Sequence, residues 1–438
     1  MLYRKIEKII IDHFNSNSNK ILLVNGARQV GKSYIIRYVG KKLFANYIEI
    51  NLLEDSLGDR FFENVNTVSD FYMQVSMIAG NKMKNKNDTL IFLDEIQVYP
   101  QLLTLLKFLK QDDRYTYVAS GSLLGVTLAE TSSIPIGSIS VIQMYPLDFE
   151  EFLYANGFNE YVIKTIRDRY LKRECLDDAT HNKVLSLFKR YLIVGGLPDV
   201  VNTYIADNNI AKVRAIQEEI YRYYAADASK YDVEKKLKIR RIYEMIPSSL
   251  ENKKKRIVIK DIDGIKGKTF SQYQDEFDYL TNAGIALEVK AISTPVFPMI
   301  EFSSKNLLKL YLNDVGVLTS ILYGNNARGI LNDEKSINLG TVYESVVASE
   351  LKAHGHKLFY YDNRQNGEVD FLIDDYDNLS ALPIKVKSGK DYTTHSALNK
   401  FVNNKDYHVN KAYVLSNNRE IEVKGNILYL PIYYAMFI

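Results

Sequence analysis

Gly26-Ala27-Arg28-Gln29-Val30-Gly31-Lys32-Ser33 is the stretch of this chain whose residue types and spacing best suit chemistry. Glycines five apart, followed by lysine and serine, make a loop that turns tightly and aims several backbone N–H groups at one anion. Lys32 would reach the outer phosphates of a nucleotide, and the Ser33 hydroxyl would ligate its Mg²⁺. Tyr34 continues into a helix whose positive end faces the same anion. The apolar "ILLV" before the loop and the amphipathic "YIIRYVGKKL" after it supply the strand and helix such a loop needs. The expected ligands are therefore ATP and Mg²⁺, held by residues Gly26 to Tyr34.

A site of this kind needs acids at the end of a second buried strand, and "TLIFLDEIQ" supplies them. Asp94 would hold Mg²⁺ through water, and Glu95 would polarise the attacking water. Two adjacent carboxylates after four apolar residues are costly unless a cation or hydrogen-bond donors meet them. The next run, "YTYVASGS", ends in hydroxyls. Ser120 or Ser122 would contact the terminal phosphate and report its loss, although small residues also suit any tight turn. Lys32, Glu95 and Ser122 are the catalytic candidates.

These residues must be positioned by a sheet. "KILLVNG", "FANYIEINL", "TLIFLDEIQ", "YTYVASGS" and "SVIQMYPL" alternate with longer helical segments, which implies a mostly parallel sheet covered on both faces. A helix is expected from Met1 to about Phe14, ended by "NSNSNK". After Pro146 the alternation stops. The chain then reads as largely helical to about Lys230, with a break at "VGGLPD", where Gly195 and Gly196 allow a tight turn. "IALEVKAI" is an expected strand, and "KLFYYDN", "EVDFLID" and "ALPIKVKSG" are three more near the end. At 438 residues the chain is too long for one core. Its net charge of +3 names no partner, and its single cysteine excludes both an internal disulfide and a cysteine zinc site. The opening residues lack the apolar run of a signal peptide, and no run is long enough to cross a bilayer, so a cytoplasmic setting is expected.

"GARQVGKS", "LIFLDEIQ", "ASGS" and "YPLDFEEFL" resemble the prokaryotic AAA+-type predicted ATPases, whose members carry a C-terminal domain of unknown function. "YLIVGGLPDVV", "LYLNDVGVLTSIL", "GTVYESVVASEL" and "GEVDFLI" resemble the later blocks of that family, in the same order. The resemblance implies an α/β protein in four parts. Residues 1–147 would form a P-loop ATPase core and 148–230 a helical lid. Residues 231–330 would form a winged-helix-like module, and 331–438 a degenerate, restriction-nuclease-like domain. The family commonly has Gly-Arg before the last core strand. Here the residues are Gly137 and Ser138, and neither Arg28 nor Arg114 is an obvious substitute, so slow or partner-stimulated turnover is expected.

A restriction-type nuclease fold uses a glutamate on its first helix, an aspartate on one strand and Glu-x-Lys on the next. The resemblance maps these onto Glu344, Asp370 and Lys387, with Lys385 where the second glutamate belongs. A lysine there removes a ligand and repels a metal. Two readings follow. Glu344, Glu368 and Asp370 hold one metal and cut DNA weakly, or the fold is a scaffold or binding surface without cleavage; the second is preferred. In the middle region, "SQYQDEFDYLTNAGIALEV" reads as a helix capped by Ser271, ended by Gly284 and followed by a strand. The basic segments "EKKLKIRR" and "NKKKRIVIK" would offer contacts to a nucleic-acid backbone, while Asp275, Glu276 and Asp278 on the helix would repel it. The expected partners are ATP and either a nucleic acid or a protein, with no membrane. The competing class is an interaction protein for which ATP is only a structural ligand.

Overall fold

The computed structural model describes residues 1–16, 18–122, 137–227, 236–265, 267–334, 336–389 and 393–438. They fall into two compact units. The expected boundary near residue 230 lies outside the described residues, as do Glu234 and Lys235 of the first basic segment.

The first unit comprises Arg4–Tyr145 with Asn282–Gly284. Its strands are β1 (Ile21–Asn25), β2 (Asn46–Asn51), β3 (Thr89–Asp94), β4 (Thr116–Gly121) and β5 (Ile139–Gln143). They pair in the order β2-β3-β4-β1-β5, every neighbour parallel. Every residue of β1 and β3 is buried. That is why both read as continuous apolar runs: a parallel strand covered on two faces has no wet side to alternate with. Ile21, Leu23, Ile91, Leu93 and Ala119 share one core with Phe71, Leu102 and Leu106 from helices Val68–Ala79 and Pro100–Asp112. Helix Lys32–Leu43 buries Ile35, Ile36 and Val39.

Register sets the site. Val24 pairs with Ser120, Asn51 with Asp94 and Leu93 with Ala119, so the carboxyl ends of β1, β3 and β4 finish level. The loop after β1 therefore opens beside Asp94 and Ser120. Ser138 sits elsewhere. Its carbonyl accepts from the Ile21 N–H at 2.8 Å, and Ile139 pairs with Ile21, the first residue of β1. The five residues of β1, each rising about 3.3 Å, separate position 138 from the loop. An arginine there would not reach this chain's own phosphates, so its absence does not bear on turnover within one chain. Arg114 is equally remote, exposed before β4 and paired with Asp112 at 3.0 Å.

The second unit comprises Met1–Tyr3, Pro146–Thr281 and Ile285–Ile438. It opens with helices Phe149–Ala155, Glu160–Lys172, Asp178–Val194, Pro198–Asp207 and Ile210–Asp227, with the break after Val194 at the two glycines. Helices Lys236–Glu251 and Gln274–Asn282 follow. The latter is preceded by a 3₁₀ turn, Phe270–Tyr273, so the start lies at Thr269 rather than Ser271; the Thr269 N–H donates to Gln272 at 3.1 Å. Gly284 does end the helix, at φ +70°.

Among the described residues eight strands follow: β6 (Ala286–Ile292), β7 (Ser303–Leu312), β8 (Phe359–Asn363), β9 (Gly367–Asp375), β10 (Ser380–Val386), β11 (Ala412–Ser416), β12 (Glu422–Lys424) and β13 (Ile427–Pro431). They form one mixed sheet in the order β12-β13-β11-β10-β9-β8-β6-β7. β6, from the stretch read as the middle module, pairs with β8 from the stretch read as the C-terminal domain. Among the described residues no helix is long and apolar enough to cross a membrane.

Candidate nucleotide site

The loop between β1 and helix Lys32–Leu43 is shaped by close backbone approach. A Cβ on Gly26 would collide with the Met144 carbonyl oxygen at the end of β5. Gly31, at φ +96°, takes the left-handed turn that starts the helix, and Gln29 is left-handed at φ +64° without being glycine. Arg4 braces the loop from outside, its guanidinium donating to the Val30 carbonyl at 3.0 Å and to the Tyr145 carbonyl at 2.6 Å.

Lys32 is buried, and its ammonium donates to the Gly26 and Ala27 carbonyls at 2.9 and 2.8 Å. Burial lowers its pKa to about 8, with Glu95 and then Asp94 opposing the shift. Asp94, the last residue of β3, accepts from Ser33 at 2.7 Å through one carboxylate oxygen. The other accepts from Ser120 and from the Glu95 N–H, the latter at 3.1 Å. Burial raises its pKa, and the two serine hydroxyls hold it back. Glu95 turns out of the strand in the left-handed region at φ +57°. It accepts from Gln97 and, at 3.4 Å, from Ser122. Ser122 also accepts from Gln97 at 3.3 Å and from Arg28 at 3.5 Å.

The two hydroxyls left open by the sequence thus divide. Ser120 serves Asp94, and Ser122 serves Glu95 and Arg28. Gln97 is the residue that sequence reasoning missed. A polar side chain between Ile96 and Val98, two residues after paired acids and buried, was the available signal. Carboxylate and hydroxyl oxygens are the donors a hard cation such as Mg²⁺ takes, so the residues present fit Mg–ATP.

The depressed Lys32 pKa has a signed consequence. The ammonium exists below about 8 and is lost as pH rises through that value. ATP affinity is expected to be flat near neutrality and to fall above that pH, by at most about tenfold per pH unit for one proton. Calorimetric titrations across the alkaline range check this; an affinity that rises there would contradict it.

The C-terminal acids have quite different surroundings. Glu344, on helix Leu339–Ala353, accepts from Lys255 at 2.5 Å and from the Tyr311 hydroxyl at 3.2 Å. Asp370 in β9 accepts from Lys385 at 2.6 Å and from the Val386 N–H at 2.7 Å; Glu368 accepts from Lys309. Burial works to raise the Asp370 pKa, but Lys385 and Lys255 prevail and hold it below the usual aspartate value. Lys387, expected beside these acids, donates instead to the Thr394 carbonyl at 2.8 Å. Four cations of the basic segments meet acids inside the unit, while Lys253, Lys254 and Lys260 are exposed. Lys255 and Arg256 bind Glu344 and Asp362, Arg240 pairs with Glu244 at 2.8 Å, and Lys238 approaches Glu276 at 3.9 Å.

Residues 18–153 match the family model of the AAA domain. Residues 185–328 match a domain of unknown function (DUF8612), and 339–435 match another (DUF4143). The chain therefore carries an AAA domain followed by two domains of unknown function, which supports a P-loop AAA+-type ATPase. No curated protein matches it. Among solved structures it is similar to a Walker-type ATPase of Pyrococcus abyssi: 13% identity, TM-score 0.45, covering 74% of this chain and 96% of that one. It is also similar to the Aeropyrum pernix ORC1 protein in complex with DNA, at 13% identity and TM-score 0.33 over 76% of this chain and 93% of that one. Cdc6p from Pyrobaculum aerophilum follows at 13% identity and TM-score 0.27 over 75% and 94%.

Proposed function

We propose that this protein is a Mg²⁺-dependent ATPase whose nucleotide state governs partner binding by the Pro146–Ile438 segment. The observation that carries the reading is the convergence of Ser33 and Ser120 on Asp94 beside a lysine buried in the phosphate loop. Lys32 supplies a charge to the outer phosphates, and the loop amides supply neutral donors. Ser33 and Asp94 would hold Mg²⁺, which supplies charge neutralisation on the phosphate oxygens. Glu95, fixed by Gln97 and Ser122, polarises a water that attacks the terminal phosphorus. The bond from that phosphorus to the bridging oxygen breaks, giving ADP and phosphate. Arg28, which the sequence did not single out as a substitute for the absent arginine, donates to Ser122 at 3.5 Å and would add to the charge that Lys32 supplies.

Control of a partner requires ATP to bind two conformations with different affinity. The partner is a nucleic acid or a protein. The largely buried ion pairs that tie down Lys255 and Arg256 favour a protein, because those two cations are already matched by carboxylates. Phosphate release by the purified full chain, with and without duplex DNA, tests this. Saturable release that DNA leaves unchanged is expected. A many-fold stimulation by DNA would make the partner a nucleic acid. Tight ATP binding with no release would contradict the ATPase and favour ATP as a structural ligand.

A further inference from the structure

We infer that Lys255, Lys309 and Lys385 occupy the cation positions of the Glu344–Glu368–Asp370 cluster, so that the C-terminal sheet carries an internally neutralised centre that takes no divalent metal. The inference is independent of the ATPase reading.

Each acid has its own ammonium group: Lys255 on Glu344 at 2.5 Å, Lys385 on Asp370 at 2.6 Å, and Lys309 on Glu368. Three carboxyl groups meet three ammonium groups; burial and the neighbouring Asp370 raise the Glu344 pKa, and Lys255 and Lys309 oppose that rise. The oxygens of Glu344 and Asp370 are also committed. One Glu344 oxygen takes Lys255 and the other takes the Tyr311 hydroxyl; one Asp370 oxygen takes Lys385 and the other takes the Val386 N–H. A hard divalent ion such as Mg²⁺ or Mn²⁺ would still need carboxylate oxygens from this cluster and would have to displace these donors while facing three ammonium groups. Among the described residues no group of three or more His, Cys, Asp or Glu is arranged to hold a metal ion.

The lysines arrive from three places. Register alone sets Lys385 opposite Asp370, because Ile384 pairs with Phe371 across β10 and β9. Lys309 lies in β7, its side chain fully buried. Lys255 lies beyond helix Lys236–Glu251, at a left-handed φ of +50°, and reaches Glu344 on a different helix. One lysine would be a chance loss of a ligand. Three, one per acid, make a matched set, and removing Lys255 or Lys385 takes the bonded cation from a buried carboxylate, Glu344 or Asp370.

Mn²⁺ bound to the full chain, counted by electron paramagnetic resonance, tests the inference. Asp94→Asn is made first, to silence the nucleotide site. That chain is expected to bind no Mn²⁺ at millimolar concentration. Adding Lys255→Met and Lys385→Glu frees Glu344 and supplies an acid, and is expected to create one bound ion per chain. A Mn²⁺ ion held by the Asp94→Asn chain and lost on further change of Asp370→Asn would overturn the inference. So would a folded triple variant, checked by circular dichroism, that gains no ion.

Discussion

Replacing Glu95 with glutamine is expected to slow ATP hydrolysis by about 10²–10⁴-fold, the usual worth of a positioned general base, with Mg–ATP affinity nearly unchanged. The amide has the size of the acid, and the backbone N–H that donates to Asp94 at 3.1 Å stays in place. Gln97 and Ser122 both donate to Glu95, so an amide oxygen can replace the carboxylate oxygen as their acceptor. What the variant loses is the negative charge that polarises water. The effect therefore falls on kcat, because it removes an interaction made in the transition state and not in the bound ground state. Single-turnover phosphate release beside equilibrium binding separates the two. Wild-type turnover in Glu95→Gln would move the base to another residue.

A second large effect is expected far from the nucleotide. Asp314→Ala should destabilise the unit that contains it by about 2–4 kcal/mol, combining a lost helix cap with a buried N–H left unpaired. Asp314 caps helix Val315–Tyr323 through the Val317 N–H at 2.9 Å and accepts from the Gly196 N–H at 2.7 Å. The surrounding knot is polar throughout. Arg214 donates to the Ile193 and Gly316 carbonyls at 3.1 and 3.0 Å, and Gln217 donates to the Val194 carbonyl at 2.8 Å. Asp314→Asn keeps an acceptor and should lose much less. Burial lifts the Asp314 pKa from 3.8 to about 6, with the backbone donors opposing. The native state therefore holds a proton that the unfolded chain has released, so this residue's contribution falls as pH rises between those values and is constant above them. Calorimetric unfolding of wild type and both variants across that window checks the ranking and the sign. Equal stability of Asp314→Ala and wild type would remove the knot from the account.

The knot also shows what the sequence could and could not say. "VGGLPD" was legible as a turn because glycines precede a proline. The partner that makes them obligatory is Asp314, more than a hundred residues away: a Cβ on Gly195 would strike its carboxylate, and one on Gly196 would strike the Leu147 carbonyl. The nucleotide site was far more legible, since Lys32, Ser33, Asp94 and Ser120 each end or follow a buried strand, where local pattern and chemistry agree. Gln97 escaped because its role depends on how Glu95 turns at a left-handed φ, which no periodicity reports. The arginine expected at position 138 was weighed by motif order alone, without the register that sets Ser138 at the opposite end of β1. β11 and β13 went unread because short apolar runs such as "AYVLS" do not tell a strand from a buried helix turn. The basic segment around Lys255 and Arg256 looked like surface charge. Only the fold brings Glu344 and Asp362 to meet it.

The central claim is that Lys32 and its neighbouring amides clamp a nucleotide triphosphate. It is tested most directly by calorimetric titration of wild type and Lys32→Ala with Mg–ATP near neutral pH. Saturable binding by wild type is expected, weakened by at least about 2 kcal/mol, some thirtyfold, in the variant. Equal affinity in the two chains, or no binding to wild type, would contradict it.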